Sequence, residues 1–130
     1  MDINEKKRIK ALLVEDDKIC RYLTSNYLKD LGCEVDIAET ALEAKNLITN
    51  HYYDIIFLDI GLPDKDGATL AYEIRNELKL NVPIVAVTGH ALADQKQKYY
   101  DVGINDVLVK PATKQGFKEM LDLYVVESLT

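Results

Sequence analysis

The chain has 130 residues, a mass of 14.7 kDa and 48% hydrophobic content, enough for one hydrophobic core. Its 22 acidic residues outnumber 16 basic ones for a formal net charge of -6, which disfavours nucleic acid and anionic membrane surfaces as partners. No apolar run approaches the roughly 20 residues of a membrane span, and the opening MDINEKKRIK has no apolar signal-peptide core.

Residues 1–9 are polar and mostly charged, and read as an arm or linker; residues 10–130 read as one domain. Ala11–Val14 is a short continuous apolar run, the pattern of a strand buried on both faces. It stops at Glu15, Asp16 and Asp17. Ile19, Leu23 and Tyr27 then recur every four residues, with Tyr22 and Leu31 beside them, predicting an amphipathic helix that ends at Gly32. Residues 34–38 alternate polar and apolar, as in a strand near a sheet edge. Thr40 opens a helix carrying Ala41, Ala44, Leu47 and Ile48, with Glu43 placed for a capping box.

A third apolar run, Ile55–Leu58, ends at Asp59. Gly61–Gly67 is a turn-rich loop in which Asp64 and Asp66 read as turn formers. A helix with Leu70, Ile74 and Leu78 follows. The fourth run, Ile84–Val87, ends at Thr88 and Gly89. A more polar helix over 91–102 closes at Gly103. The fifth strand, Asp106–Val109, ends at Lys110 and Pro111. The last helix, capped by Thr113, carries Phe117, Met120, Leu121, Tyr124 and Val125. Gly116 in its first turn lowers helix propensity with no motive visible in the sequence.

Five strands, each followed by a helix, predict an α/β fold: a (βα)5 doubly wound, flavodoxin-like parallel sheet with helices on both faces. In such a sheet all strand C-termini share one edge, and ligand sites form there. The first strand delivers Glu15 and Asp16, the third Asp59, the fourth Thr88 and the fifth Lys110. With the order 2-1-3-4-5, the first and third strands are neighbours and the three acids face each other. Taken singly, each residue has a plainer role: Asp59 and Asp16 as helix or turn caps, Thr88 as a strand residue, Lys110 as a solvated charge. Together they make a different case. Clustered carboxylates repel unless a cation joins them, and all-oxygen ligation suits Mg²⁺. A carboxylate can itself attack phosphorus, with Lys110 and Thr88 placed to meet phosphoryl oxygens.

At these positions the sequence resembles the receiver domains of two-component signalling. The motifs are Leu13–Asp17, Phe57–Pro63 with Asp66 and Gly67, Val87–Gly89, and Val109–Pro111, in order and at strand ends over most of the chain. The resemblance implies that Asp59 is the phosphoacceptor and takes its phosphoryl group from a phosphohistidine. It implies that Asp16, Asp59 and the Gly61 carbonyl ligate Mg²⁺, with Glu15 acting through water. It implies that Thr88 and Lys110 answer to the phosphoryl group, and that Lys110–Pro111 is cis. The partners would be a histidine kinase or a histidine phosphotransfer protein, in the cytoplasm. Homodimerisation through the face after the fourth strand is left open.

The position three before the lysine, often aromatic in receivers, holds Val107. That departure and the segments 83–90 and 102–111 resemble receivers fused to hybrid sensor histidine kinases; the alternative is a stand-alone regulator. His90, two residues past Thr88, reads as a loop histidine near enough to influence phosphoryl hydrolysis. An aspartate-nucleophile phosphohydrolase would need an acid two residues past Asp59, and that position is Gly61. The isolated domain is therefore expected not to turn over substrate. Cys20 and Cys33 read as small reduced core residues rather than ligands.

Overall fold

The structure is a computed structural model that describes residues 8–89 and 93–125. Five strands and five helices alternate: β1 (Ile9–Val14), α1 (Lys18–Asp30), β2 (Cys33–Ala38), α2 (Ala41–Asn50), β3 (Ile55–Asp59), α3 (Gly67–Asn76), β4 (Ile84–Thr88), α4 (Ala93–Asp101), β5 (Asp106–Val109) and α5 (Lys114–Tyr124). All pairings are parallel, in the order β2-β1-β3-β4-β5. The expected α/β architecture and strand order are both present. His90 lies outside the described residues.

Alternation along the central strands splits the core into two layers. Leu12, Val14, Ile56, Leu58, Ile84 and Ala86 point to one face and pack with residues of α2, α3 and α4. Ala11, Leu13, Ile55, Phe57, Val85 and Val87 point to the other, against α1 and α5. Phe117 of α5 seats edge-on against Phe57, ring centroids 5.1 Å apart. Because β1, β3 and β4 are covered on both sides, their apolar runs are continuous, the pattern read from the sequence.

Local signals explain most element boundaries. Asp17, Thr40, Asp66 and Thr113 each accept a backbone N–H at the start of α1, α2, α3 and α5. Gly32 and Gly103 adopt φ of 94° and 99° past the ends of α1 and α4. Three local readings are corrected. β1 starts at Ile9, inside the segment read as an arm, because Ile9 pairs with Cys33 of β2. In α1 the buried face carries Ser25 and Leu28, while Ile19 and Tyr22 are 72% and 68% exposed. A spacing of four advances about 40° per step around a helix, so the Ile19–Leu23–Tyr27 line starts off the core-facing stripe and reaches the core only at Tyr27. Ser25 is tolerated in that stripe because its hydroxyl donates to the Tyr22 carbonyl at 3.1 Å. Finally, Glu43 accepts the N–H of Glu39 at 3.3 Å rather than that of the cap residue Thr40.

Candidate functional site

Four strand ends meet at one edge of the sheet. β1 and β3 are direct neighbours, so Glu15 and Asp16 stand beside Asp59. β4 adjoins β3 and ends at Thr88; β5 adjoins β4, and the N–H of Lys110 donates to the Thr88 carbonyl at 2.8 Å. Lys110 is thereby fixed as the first residue past the β5 edge. The Lys110–Pro111 peptide bond is cis.

Glu15, Asp59 and Thr88 are all buried, while Asp16 is exposed. One carboxylate oxygen each from Glu15, Asp16 and Asp59 lie within 4.8 Å of one another. The Lys110 ammonium is 3.0 Å from Glu15 Oε1 and 3.5 Å from Asp59 Oδ2. Glu15 also accepts the N–H of Asp17 at 3.1 Å, and Asp59 Oδ1 accepts that of Gly61 at 3.1 Å. These bonds orient the two buried carboxylates into one crevice. Burial, then its hydrogen bond with Asp59, pushes the Glu15 carboxyl up to about 7 against the pull of Lys110. Burial works to lower the Lys110 pKa, but pairing with Glu15 and Asp59 raises it above the ordinary lysine value.

Three carboxylates facing one ammonium leave two negative charges formally unbalanced. Burial is the main cause of the raised Glu15 pKa, and the neighbouring Asp59 charge adds least to it. A hard divalent cation with oxygen ligands matches both the charge and the donor set. Gly61 closes the loop side: a β-carbon there would stand 4.0 Å from Asp59 Oδ1, so its backbone faces the same space.

The loop between β3 and α3 is held by unusually close packing. The Gly67 N–H donates to the Ile60 carbonyl at 2.8 Å. A β-carbon on Gly67 would meet the Asp59 carbonyl oxygen at 2.5 Å and Ile60 Cα at 2.8 Å. Only glycine lets the start of α3 approach the end of β3 this closely.

The remaining sequence candidates divide. Asp17 is the α1 cap, its Oδ1 accepting the Cys20 N–H at 2.9 Å. Asp66 is the α3 cap. Asp64 is more than a turn former: its carboxylate accepts the N–H groups of Ala41 and Leu42, at 2.8 and 3.0 Å, across 23 and 22 residues of chain. Cys33 is buried, but Cys20 is half-buried and lines a cleft of about 300 Å³ that Glu15, Leu23, Tyr27 and Lys110 also border. Val107 pairs with Ala86 and packs on the α2–α3–α4 side of the core. Of the adjacent tyrosines, Tyr99 is buried and Tyr100 exposed. One residue escaped sequence reasoning altogether: Arg21, whose Nη1 donates to the Asp16 carbonyl at 2.7 Å. Its place one turn past the Asp17 cap is the sole local signal, and it says nothing about that target.

The profile of the response regulator receiver domain matches residues 11–122. The chain belongs to this family. Among curated proteins, this receiver is 36% identical over 95% of its length to a transcription factor SKN7 from Chaetomium thermophilum. It is 33% identical over 94% of its length to the sensor histidine kinase RcsC of Escherichia coli K12. The receiver spans 16% and 13% of those two proteins. Among solved structures, the receiver domain of sensor histidine kinase PA1611 from Pseudomonas aeruginosa has a TM-score of 0.84 at 30% identity, covering 93% of this chain and all of that one. That structure is described with a magnesium ion coordinated in its active site cleft. Chemotaxis protein CheY4 of Vibrio cholerae has a TM-score of 0.85 at 27% identity, over 91% of this chain and 99% of that one.

Proposed function

We propose that this receiver accepts a phosphoryl group from a phosphohistidine onto Asp59 in a Mg²⁺-dependent step, and so changes which partner its surface binds. The observation that carries the reading is the position of Asp59, a buried carboxylate at the β3 edge with an ammonium at 3.5 Å and two further acids around it. An Asp59 oxygen attacks phosphorus, the N–P bond of the phosphohistidine breaks, and its electron pair stays on the imidazole nitrogen, which then takes up a proton. The product on this chain is an acyl phosphate.

Asp16, Asp59 and the Gly61 carbonyl would hold Mg²⁺, with Glu15 acting through water. The ion would neutralise charge on the acids and the transferring oxygens. Lys110 then leaves its pairing with Glu15 for a phosphoryl oxygen, and the Thr88 hydroxyl donates to another. Phosphorylation adds negative charge to the crevice, which supplies the force for those movements. Val107 leaves the usual aromatic report of that movement without its side chain. Hydrolytic turnover is disfavoured, because Gly61 provides no acid or base beside the acyl phosphate.

The donor would be a histidine kinase or histidine phosphotransfer protein. The exposed Ile19, Tyr22 and Leu23 on α1, next to the acid cluster, offer such a partner apolar surface. We favour the receiver of a hybrid sensor histidine kinase as the parent context, supported by the RcsC and PA1611 likenesses. The likeness to SKN7 is the competing precedent, and the flanking coding sequence decides between them. Function itself is tested by intact mass after incubation with Mg²⁺ and acetyl phosphate. Wild type should gain one phosphate and Asp59→Asn none; equal gain by both, or none by wild type, refutes the reading.

A further inference from the structure

The two loops that carry the acids are tied to the same short turn. That turn, Glu39 and Thr40 with the first two residues of α2, contributes no residue to the acid cluster. From one side comes Arg21 of α1. Its side chain is 18% exposed, and Nη1 reaches the Asp16 carbonyl at 2.7 Å, the Glu15 carbonyl at 3.5 Å and Glu39 Oε1 at 3.5 Å. From the other side comes Asp64 of the β3–α3 loop, which accepts the Ala41 and Leu42 N–H groups with its two oxygens. The turn is itself fixed: the Glu15 N–H donates to the Ala38 carbonyl at 2.9 Å, and Thr40 caps α2.

We propose that the β2–α2 turn is a common brace for the Mg²⁺-binding loops, with Arg21 and Asp64 as the positioning residues that join them to it.

The physical case is one of convergence. Asp16 and Gly61 are both exposed and both lie just past strand ends, where sheet hydrogen bonding no longer defines the backbone. A metal that demands near-ideal octahedral geometry tolerates little scatter in its ligands. Arg21 holds the peptide that follows the Asp16 side chain. Asp64 holds the loop three residues past Gly61, alongside the Gly61–Asp66 bridge, the Gly67 N–H bond to Ile60 and the Lys65–Glu73 ion pair. Both bonds are charge-assisted, the stronger class of hydrogen bond. The backbone N–H of Ala41 is the main reason the Asp64 carboxyl sits below its ordinary range, so the clamp is ionised at neutral pH. An α2 N-terminus welcomes that charge. These bonds go to backbone groups rather than to the clustered carboxylates, so each residue acts through the peptide it holds. The roles deepen the proposed Mg²⁺ chemistry and rest on it.

The test is Mg²⁺ affinity by titration calorimetry on the whole chain, with thermal unfolding in chelator run alongside. Arg21→Ala and Asp64→Ala should each lose about 10-fold in Mg²⁺ affinity, the lower end for residues that orient metal ligands. Arg21→Lys and Asp64→Asn, which keep part of the bonding, should recover some of it. The double alanine variant should lose less than the product of the two single losses, because both act through one turn. Tyr53→Phe breaks a 2.6 Å bond to Asp36 at the opposite edge of the sheet and serves as the control for lost stability. Wild-type affinity in both alanine variants, or a loss no larger than that of Tyr53→Phe, overturns the brace. Absence of Mg²⁺ binding by wild type would instead refute the metal chemistry on which the brace depends.

Discussion

Glu15 is a carboxyl of the crevice held well above its ordinary value. It is buried beside Asp59, and its carboxyl is raised from 4.5 to about 7. Between those values the folded chain binds more protons than the unfolded chain, so stability must fall as pH rises. In chelator, the unfolding midpoint of wild type should therefore drop from about pH 5 to about pH 8 more than that of Glu15→Gln, which cannot ionise. Matching pH profiles for the two proteins would show that Glu15 carries no such strain. The identities of Glu15, Asp59 and Lys110 were legible from the sequence because each is the first polar residue after an apolar run. Their mutual distances were not, and neither was Arg21. An arginine on a helix can reach many carbonyls, and only the folded path of residues 15–17 selects one.

At the scale of elements, the β3–α3 connection shows what the sequence states and what it conceals. The Gly61–Gly67 turn was plain from its composition, but Asp66 read only as a turn former and proves to cap α3. The reason for Gly67 was concealed, because the contact it permits is with backbone at Asp59 and Ile60. Gly67→Ala should destabilise the fold by about 3 kcal/mol, the upper end for overpacking, since no flexible side chain can yield. Gly89→Ala, where an added β-carbon meets nothing within 4 Å, should stay within about 0.5 kcal/mol of wild type. Urea unfolding of both variants measures the contrast, and equal effects would remove the close-approach argument. Gly116 is a milder case: a β-carbon there would lie 3.3 Å from the Leu108 side chain, which can give way, and at an ordinary 3.5 Å from the Thr113 hydroxyl. Helix α1 is the reverse case, where an apolar spacing was visible but its burial was not. Ile19, Tyr22 and Leu23 read as core from their periodicity, yet the sheet meets the helix along Ser25 and Leu28.

For the whole molecule, topology does what local sequence cannot. Strand order β2-β1-β3-β4-β5 places the ends of β1 and β3 side by side at the point where the chain reverses its winding. Residues far apart in the chain then form one crevice without any local sequence relation between them. The net charge of -6 is mostly spread over solvent, but three of the acids are concentrated there. That concentration should couple the site to the stability of the entire chain. Mg²⁺ at a hundredfold excess over its Kd should stabilise wild type by about 2.7 kcal/mol, or roughly 10 °C in Tm at this chain length. Asp16→Asn should lose most of that gain, and an undiminished gain would remove Asp16 from the metal site.

The central claim is that the Asp59 side chain itself becomes an acyl phosphate. Borohydride reduces an aspartyl phosphate to homoserine, which peptide mass spectrometry can place on the chain. After incubation with acetyl phosphate and Mg²⁺, homoserine should stand at position 59 alone, and chelator should abolish it. Conversion at another aspartate, or equal conversion without Mg²⁺, would contradict the account.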